Sequence, residues 1–410
     1  MTSRRVHLLQ RWSAGMLALV LVHSCAAPAA YGYVFNYVVP DVRQPPSVGG
    51  NTACPQRFAL GPLFSGIAGR LWATTLGSNP VNVRTLSQDS DGRLTEVENS
   101  IERAFGAWAG VSGNVFATGA PPTLDRLGGT DGCFPDGWLA VCFRQIDPAF
   151  TFGVLAFTRV ITADTIGAQL TGDASPSTFP GQILDADILL RPNDPTVAFA
   201  TPEALASNPS AYDLDSVLTH EMGHVFGLGH SGVWSAIMFP YIAPPGTFIG
   251  PRPAPDSPDA ALSEDDRTAM RVLYPDSYDT LHGGSIRGRV LPANPLALAN
   301  DPATPTGIFG AQVVAVDDAS GAVIAATVSG WTCSDPGPPI FDGAYVVEGL
   351  PASGYRIYAE PLDGPLNAAD AFHQVTLCRN PLTDAGWPTP LACITPTPYT
   401  GFSTRVRAGP

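Results

Sequence analysis

The chain contains no lysine; all 22 of its basic residues are arginines. Against 36 acidic residues they leave a formal net charge of −14. An acidic chain of this kind is a poor match for nucleic acid or for anionic membrane surfaces. It suits solubility outside the cell and favours neutral or basic substrates. The missing lysine reads as genomic base composition, not as function. Long apolar runs are missing too. The longest candidate, Ala14 to Val22, is too short to span a bilayer. Histidine and cysteine are scarce, with seven of each, so their positions carry information. Glycine and proline are plentiful, at 42 and 41 residues, and imply many turns and long loops.

The apolar run follows Arg4, Arg5 and Arg11, the pattern of a signal peptide over residues 1–30. Two processing readings stand side by side. Ala27-Pro28-Ala29 offers a cleavage site, while Val22-His23-Ser24-Cys25 resembles a lipobox in which Cys25 takes a lipid anchor. The protein is therefore expected to be secreted, or anchored at the cell surface. With Cys25 set aside, six cysteines remain, an even number fit for disulfides in an oxidising compartment. Cys133–Cys142 and Cys378–Cys393 are the local pairs, and Cys54–Cys333 is left by elimination.

Three of the seven histidines lie within one short window, His220-Glu221-Met222-Gly223-His224-Val225-Phe226-Gly227-Leu228-Gly229-His230. His220 and His224 are four apart, so on a helix they share a face and can hold one metal ion. Glu221 is offset from that face and can reach a water without being a ligand. Gly227 stands where the chain must leave the helix, and glycine tolerates the positive φ such an exit needs. The turn returns His230 as a third ligand. A fourth position left open for water is the arrangement of a catalytic zinc, not a structural one.

The complete H-E-x-x-H-x-x-G-x-x-H pattern, with Ser235-Ala236-Ile237-Met238-Phe239-Pro240 after it, resembles the metzincin proteases. Met238 would be their structural methionine turn. Within the metzincins the match is matrixin-like. Ser231 directly follows the third histidine. Leu262-Ser263-Glu264-Asp265-Asp266 and Leu273-Tyr274 resemble the two ends of the last matrixin helix. Astacins carry a tyrosine two residues after the methionine, where this chain has Pro240. The resemblance covers roughly residues 70–275 and implies an α+β zincin/metzincin catalytic domain, a twisted mixed sheet plus helices, over residues 70–278. Within it Asp213 is a plausible N-cap of the zinc helix. Leu94 to Ala109 has helical spacing with Val97, Ile101, Phe105 and Trp108 on one face. Strands are expected over 80–86, 139–143, 153–158 and 183–190. The strand from Gly153 to Thr158 resembles the metzincin edge that pairs with extended substrate.

The chain departs from the family at one point. No histidine lies between His23 and His220, which excludes a second, structural zinc in histidine form. Calcium is a candidate second cofactor, because Asp89, Asp91, Asp185, Asp187 and Asp194 supply carboxylates. A propeptide cysteine switch at Cys54 lacks its motif, and residues 31–69 carry no assignment.

Beyond about residue 280 the pattern changes to short strands with glycine turns, which suggests an all-β sandwich. Residues 343–355 resemble carboxypeptidase regulatory-like domains, implying a transthyretin-like sandwich over 283–363 with no catalysis of its own. Residues 364–410 form a tail that could close the sandwich. His282 and His373 read as ordinary residues, not ligands. The functional reading is a secreted zinc-dependent endopeptidase, with His220, His224 and His230 as metal ligands, Glu221 as general base and protein or peptide substrates. The alternative is a surface-binding or adhesion module carrying a latent or very selective protease domain.

Overall fold

The computed structural model describes residues 83–87, 90–111, 139–143, 153–163, 167–170, 182–192, 196–245, 261–275, 282–292, 311–329 and 343–361, with shorter stretches and the backbone of several short strands besides. The chain forms two compact units. One takes residues 1–16, 57–227 and 241–263; the other takes 17–56, 228–240 and 264–410. Cys25, Asp89, Asp194, Cys333, His373 and Cys393 lie outside the described residues, as does the signal-peptide region apart from the strand backbones Gln10–Ser13 and Leu19–Leu21.

The first unit is built on a mixed sheet. Its strand Ile183–Leu190 runs antiparallel to Ala156–Thr162 and parallel to Ala140–Cys142. A strand covered on both faces reads as a nearly continuous apolar run. Ile183, Ile188, Leu189 and Leu190 are accordingly buried. The second strand begins at Ala156, later than the expected Gly153, because Gly153 adopts a φ of 89° that an extended strand does not accommodate. Nor is this strand an open edge. Gln10–Ser13 pairs antiparallel along it, with Gln10 opposite Ile161 and Ser13 opposite Thr158. The disulfide Cys133–Cys142 forms as expected and fastens the strand Ala140–Cys142 to the loop before it.

Two helices pack against each other, and the second of them lies against the sheet strands Ala156–Thr162 and Ile183–Leu190. The first, Ser90–Ala109, starts four residues earlier than its apolar spacing suggests, since the first turn is polar and carries Asp91. Its periodic face is the core, with Val97, Ile101, Phe105 and Trp108 all buried. Trp108 Nε1 donates to the backbone oxygen of Thr219 at 2.8 Å, and its ring lies 6.4 Å from that of Phe226. Arg103 forks onto Asp215 with contacts of 2.7 and 3.2 Å. These bonds fix the second helix, Leu214–Val225, which carries the histidine motif. Asp213 caps it, its side chain accepting from the Ser216 amide at 3.1 Å.

Among its described residues the second unit contains the last helix, Glu264–Leu273, two short strand pairs, Tyr37–Val38 with Cys54–Pro55 and Leu19–Leu21 with Thr376–Cys378, and two larger antiparallel sheets. One sheet pairs Gly284–Arg289 with Ala344–Leu350. The other has the order Val323–Val328, Ala311–Asp317, Tyr355–Pro361, Arg405–Arg407. These strands follow the glycine-punctuated runs seen in the sequence. The turn at residues 318–321 closes with Gly321 at a φ of 72°.

Candidate metal centre

The motif helix ends because its residues cannot continue it. The Gly227 amide still donates to the His224 carbonyl at 3.0 Å, but Gly227 itself sits at a φ of 97°. A side chain there would be strained whatever the surrounding space. The chain turns, and His230 comes back towards the two helical histidines. The candidate ligand atoms of His220, His224 and His230 all lie within 4.8 Å of one another. Among the described residues this is the group of histidine, cysteine and carboxylate side chains that can hold a metal ion. The rings of His220 and His224 stand edge to face, 4.9 Å apart. His224 is buried, whereas His220 and His230 are half-buried. Three imidazole nitrogens converging from a helix and a following turn form a donor set of the kind zinc takes.

Glu221 is buried beside the histidines on the same helix. Thr158 Oγ1 lies 2.7 Å from Glu221 Oε2 and 2.9 Å from the Glu221 backbone oxygen. The hydroxyl has one proton, so it donates to one of these oxygens at a time. Burial pushes the Glu221 carboxyl up to about 8, and the Thr158 hydrogen bond works against that rise. A carboxyl in this range both takes up and releases a proton near neutral pH.

Met238 is buried in the turn after His230, and its backbone oxygen accepts from the Ser231 amide at 2.8 Å. The turn is held from the last helix. Asp266 accepts from the amides of Ile237 at 2.8 Å and Met238 at 3.2 Å. Sequence reasoning picked out Glu264-Asp265-Asp266 as a helix start but missed this role. It missed Thr158 as well, which in sequence is one of many polar residues on a strand. No local signal marks either residue, since their partners lie 28 to 63 positions away.

The candidate calcium carboxylates do not gather into a second group among the described residues. Asp185 and Asp187 are buried in the central strand, where Asp187 Oδ1 accepts from the Ala140 amide at 3.3 Å. His282 is exposed. No helix among the described residues is long and apolar enough to cross a membrane.

Residues 167–275 match the family described as Matrixin. Metalloendoproteinase 1 of Glycine max is 34% identical over 134 residues, which is 29% of this chain and 40% of the relative. Matrix metalloproteinase-26 of Homo sapiens is 39% identical over 105 residues, 25% of this chain and 36% of the relative. Metalloendoproteinase 4-MMP of Arabidopsis thaliana is 59% identical over 64 residues, 16% of each. The matching segment spans less than half the length of these curated relatives. The family and the relatives' names support a zinc metalloendopeptidase. The family match ends at residue 275, before the first C-terminal strand.

Proposed function

We propose that the chain is an exported zinc-dependent endopeptidase in which His220, His224 and His230 hold the metal and Glu221 is the general base. One observation carries this reading. A buried carboxylate sits one residue from the first of three histidines whose ligand atoms lie within 4.8 Å of one another. A metal-holding scaffold needs the ligands but has no use for the carboxylate.

Zinc held by these histidines supplies Lewis acidity, making a water more acidic and polarising the scissile carbonyl. A Glu221 carboxylate oxygen accepts a proton from the attacking water as its oxygen bonds to the carbonyl carbon. Glu221 then delivers that proton to the leaving amine nitrogen as the C–N bond breaks. Thr158 limits the orientations open to the carboxylate while this happens. Met238 supports the turn after His230 and takes no part in the chemistry. Extended substrate would add along Ala156–Thr162, the strand that Gln10–Ser13 pairs with, so removal of a leader at residues 1–30 would free that position. The sandwich proposed for residues 283–363 supplies no catalytic group in this reading.

The test is cleavage of a panel of denatured proteins by the full chain beside Glu221→Gln, with bound zinc measured in both. The wild type is expected to carry about one zinc per chain and to cleave. Glu221→Gln should keep its zinc and lose about 100-fold or more in rate. Equal cleavage by both chains, or no zinc in either, would overturn the assignment.

A further inference from the structure

The last helix presents two neighbouring carboxylates, Asp265 and Asp266, each 1% exposed. Adjacent helical residues point about 100° apart, so the two serve different neighbours. Asp266 holds the turn at Ile237 and Met238. Asp265 holds something else. Its Oδ2 accepts from Ser231 Oγ at 2.6 Å, and its Oδ1 accepts from the backbone amide of Ala326 at 2.7 Å. Ser231 is the residue after His230. Ala326 belongs to Val323–Val328, the outermost strand of its sheet. An outermost strand leaves every second N–H without a ladder partner, and a buried one needs an acceptor. Asp265 is that acceptor.

The same segment meets the same sheet in two further ways. Val233 and Ala236 pack in one buried cluster with Val314 and Ala326, bordered by Val316, Val323 and Tyr358. Gly232 approaches so closely that a Cβ there would lie 2.4 Å from Gln312 Oε1. Ser231 Oγ also accepts from the Val233 amide at 3.0 Å, which folds the start of the segment onto itself. Residues 231–238 are thus gripped by a helix carboxylate and by the strand pair 311–328 together.

We infer that Asp265 is a positioning residue for the metal centre, fixing the segment that follows His230 by tying Ser231 to the edge strand at Ala326. The C-terminal strands are in this view a working part of the centre and not only an appended module. Burying two adjacent carboxylates is costly unless each is well bonded, and the bonds of Asp265 run to the loop of a proposed ligand and to the sheet. The inference rests on the zinc reading above.

The experiment uses the full chain with Asp265→Ala, Ser231→Ala and, as a control, Arg356→Ala, which removes an exposed ion pair with Asp318. Three quantities are read: zinc affinity by competition with a chromogenic chelator, the melting temperature of the zinc-free form, and kcat with KM on a peptide. Groups hydrogen-bonded to a metal ligand typically change metal affinity about 10- to 100-fold, and Ser231 acts from the next residue in the chain, so the low end of that range is the expectation. Asp265→Ala and Ser231→Ala are expected to weaken zinc about tenfold and to lower kcat with KM within about twofold, while Arg356→Ala changes none of these. Ser231→Ala leaves the Asp265–Ala326 bond in place, so it decides the matter if Asp265→Ala does not fold. Zinc affinity and kcat within about twofold of the parent in the folded variants, whatever happens to melting, overturn the inference and leave Asp265 as a fold residue. A parent chain that binds no zinc overturns the metal reading and this inference with it.

Discussion

Single residues divide into those whose role follows from type and spacing and those whose role follows from a neighbour. The histidines and Glu221, as the proposed ligands and base, belong to the first kind. Thr158 belongs to the second, because its hydroxyl touches Glu221 only through a contact 63 positions away. A hydrogen bond to an ionised group contributes about 1.5–3 kcal/mol. Thr158→Val keeps the shape and removes the hydroxyl. It is expected to lower kcat/KM on a peptide about tenfold or more with zinc content unchanged, read by steady-state kinetics beside metal analysis. Unchanged kinetics would show that burial alone orients Glu221.

At the scale of elements, the site depends on where one helix stops. Leu214–Val225 is capped at its start by Asp213 and left at its end through Gly227. Both features were visible in the sequence. A cap residue is recognisable by type, and a glycine three positions past His224 marks an exit. Strand limits were harder to read. The apolar run from Gly153 looked extended throughout, yet the positive φ at Gly153 delays the strand to Ala156. Composition does not reveal which glycine spends its freedom. Gly227→Ala forces a side chain into a φ of 97°, at a cost of about 1–3 kcal/mol. It is expected to lower the melting temperature and to weaken zinc, because the turn delivers His230. Chelator competition and thermal unfolding on one sample test both effects.

At the scale of the whole molecule, buried carboxylates set the response to pH. Burial, with Asp266 alongside, pushes Asp265 from 3.8 up to about 8. Between those values the folded chain keeps the proton and the unfolded chain has released it. The unfolded state then binds fewer protons, so stability falls as pH rises, by at most about 1.4 kcal/mol per pH unit for one group. The contribution is fully present below about pH 4 and is lost through about pH 8. Urea unfolding of the zinc-free chain between pH 5 and 8 is expected to show this slope, and Asp265→Asn should flatten it. An equal slope in both chains would assign it to other groups.

Spacing by itself located the proposed metal ligands, the proposed base, the helix that carries them and the buried face of Ser90–Ala109. These depend on residues a few positions apart, and the 3.6-residue helical period makes such relations local. Tertiary structure alone decided what holds the centre in place. Thr158 against Glu221, Asp266 under Met238, and Asp265 between Ser231 and Ala326 join residues 28 to 63 positions apart. Buried carboxylates and strand N–H groups must find partners wherever the chain brings them. Which partners they find is settled only when the elements pack.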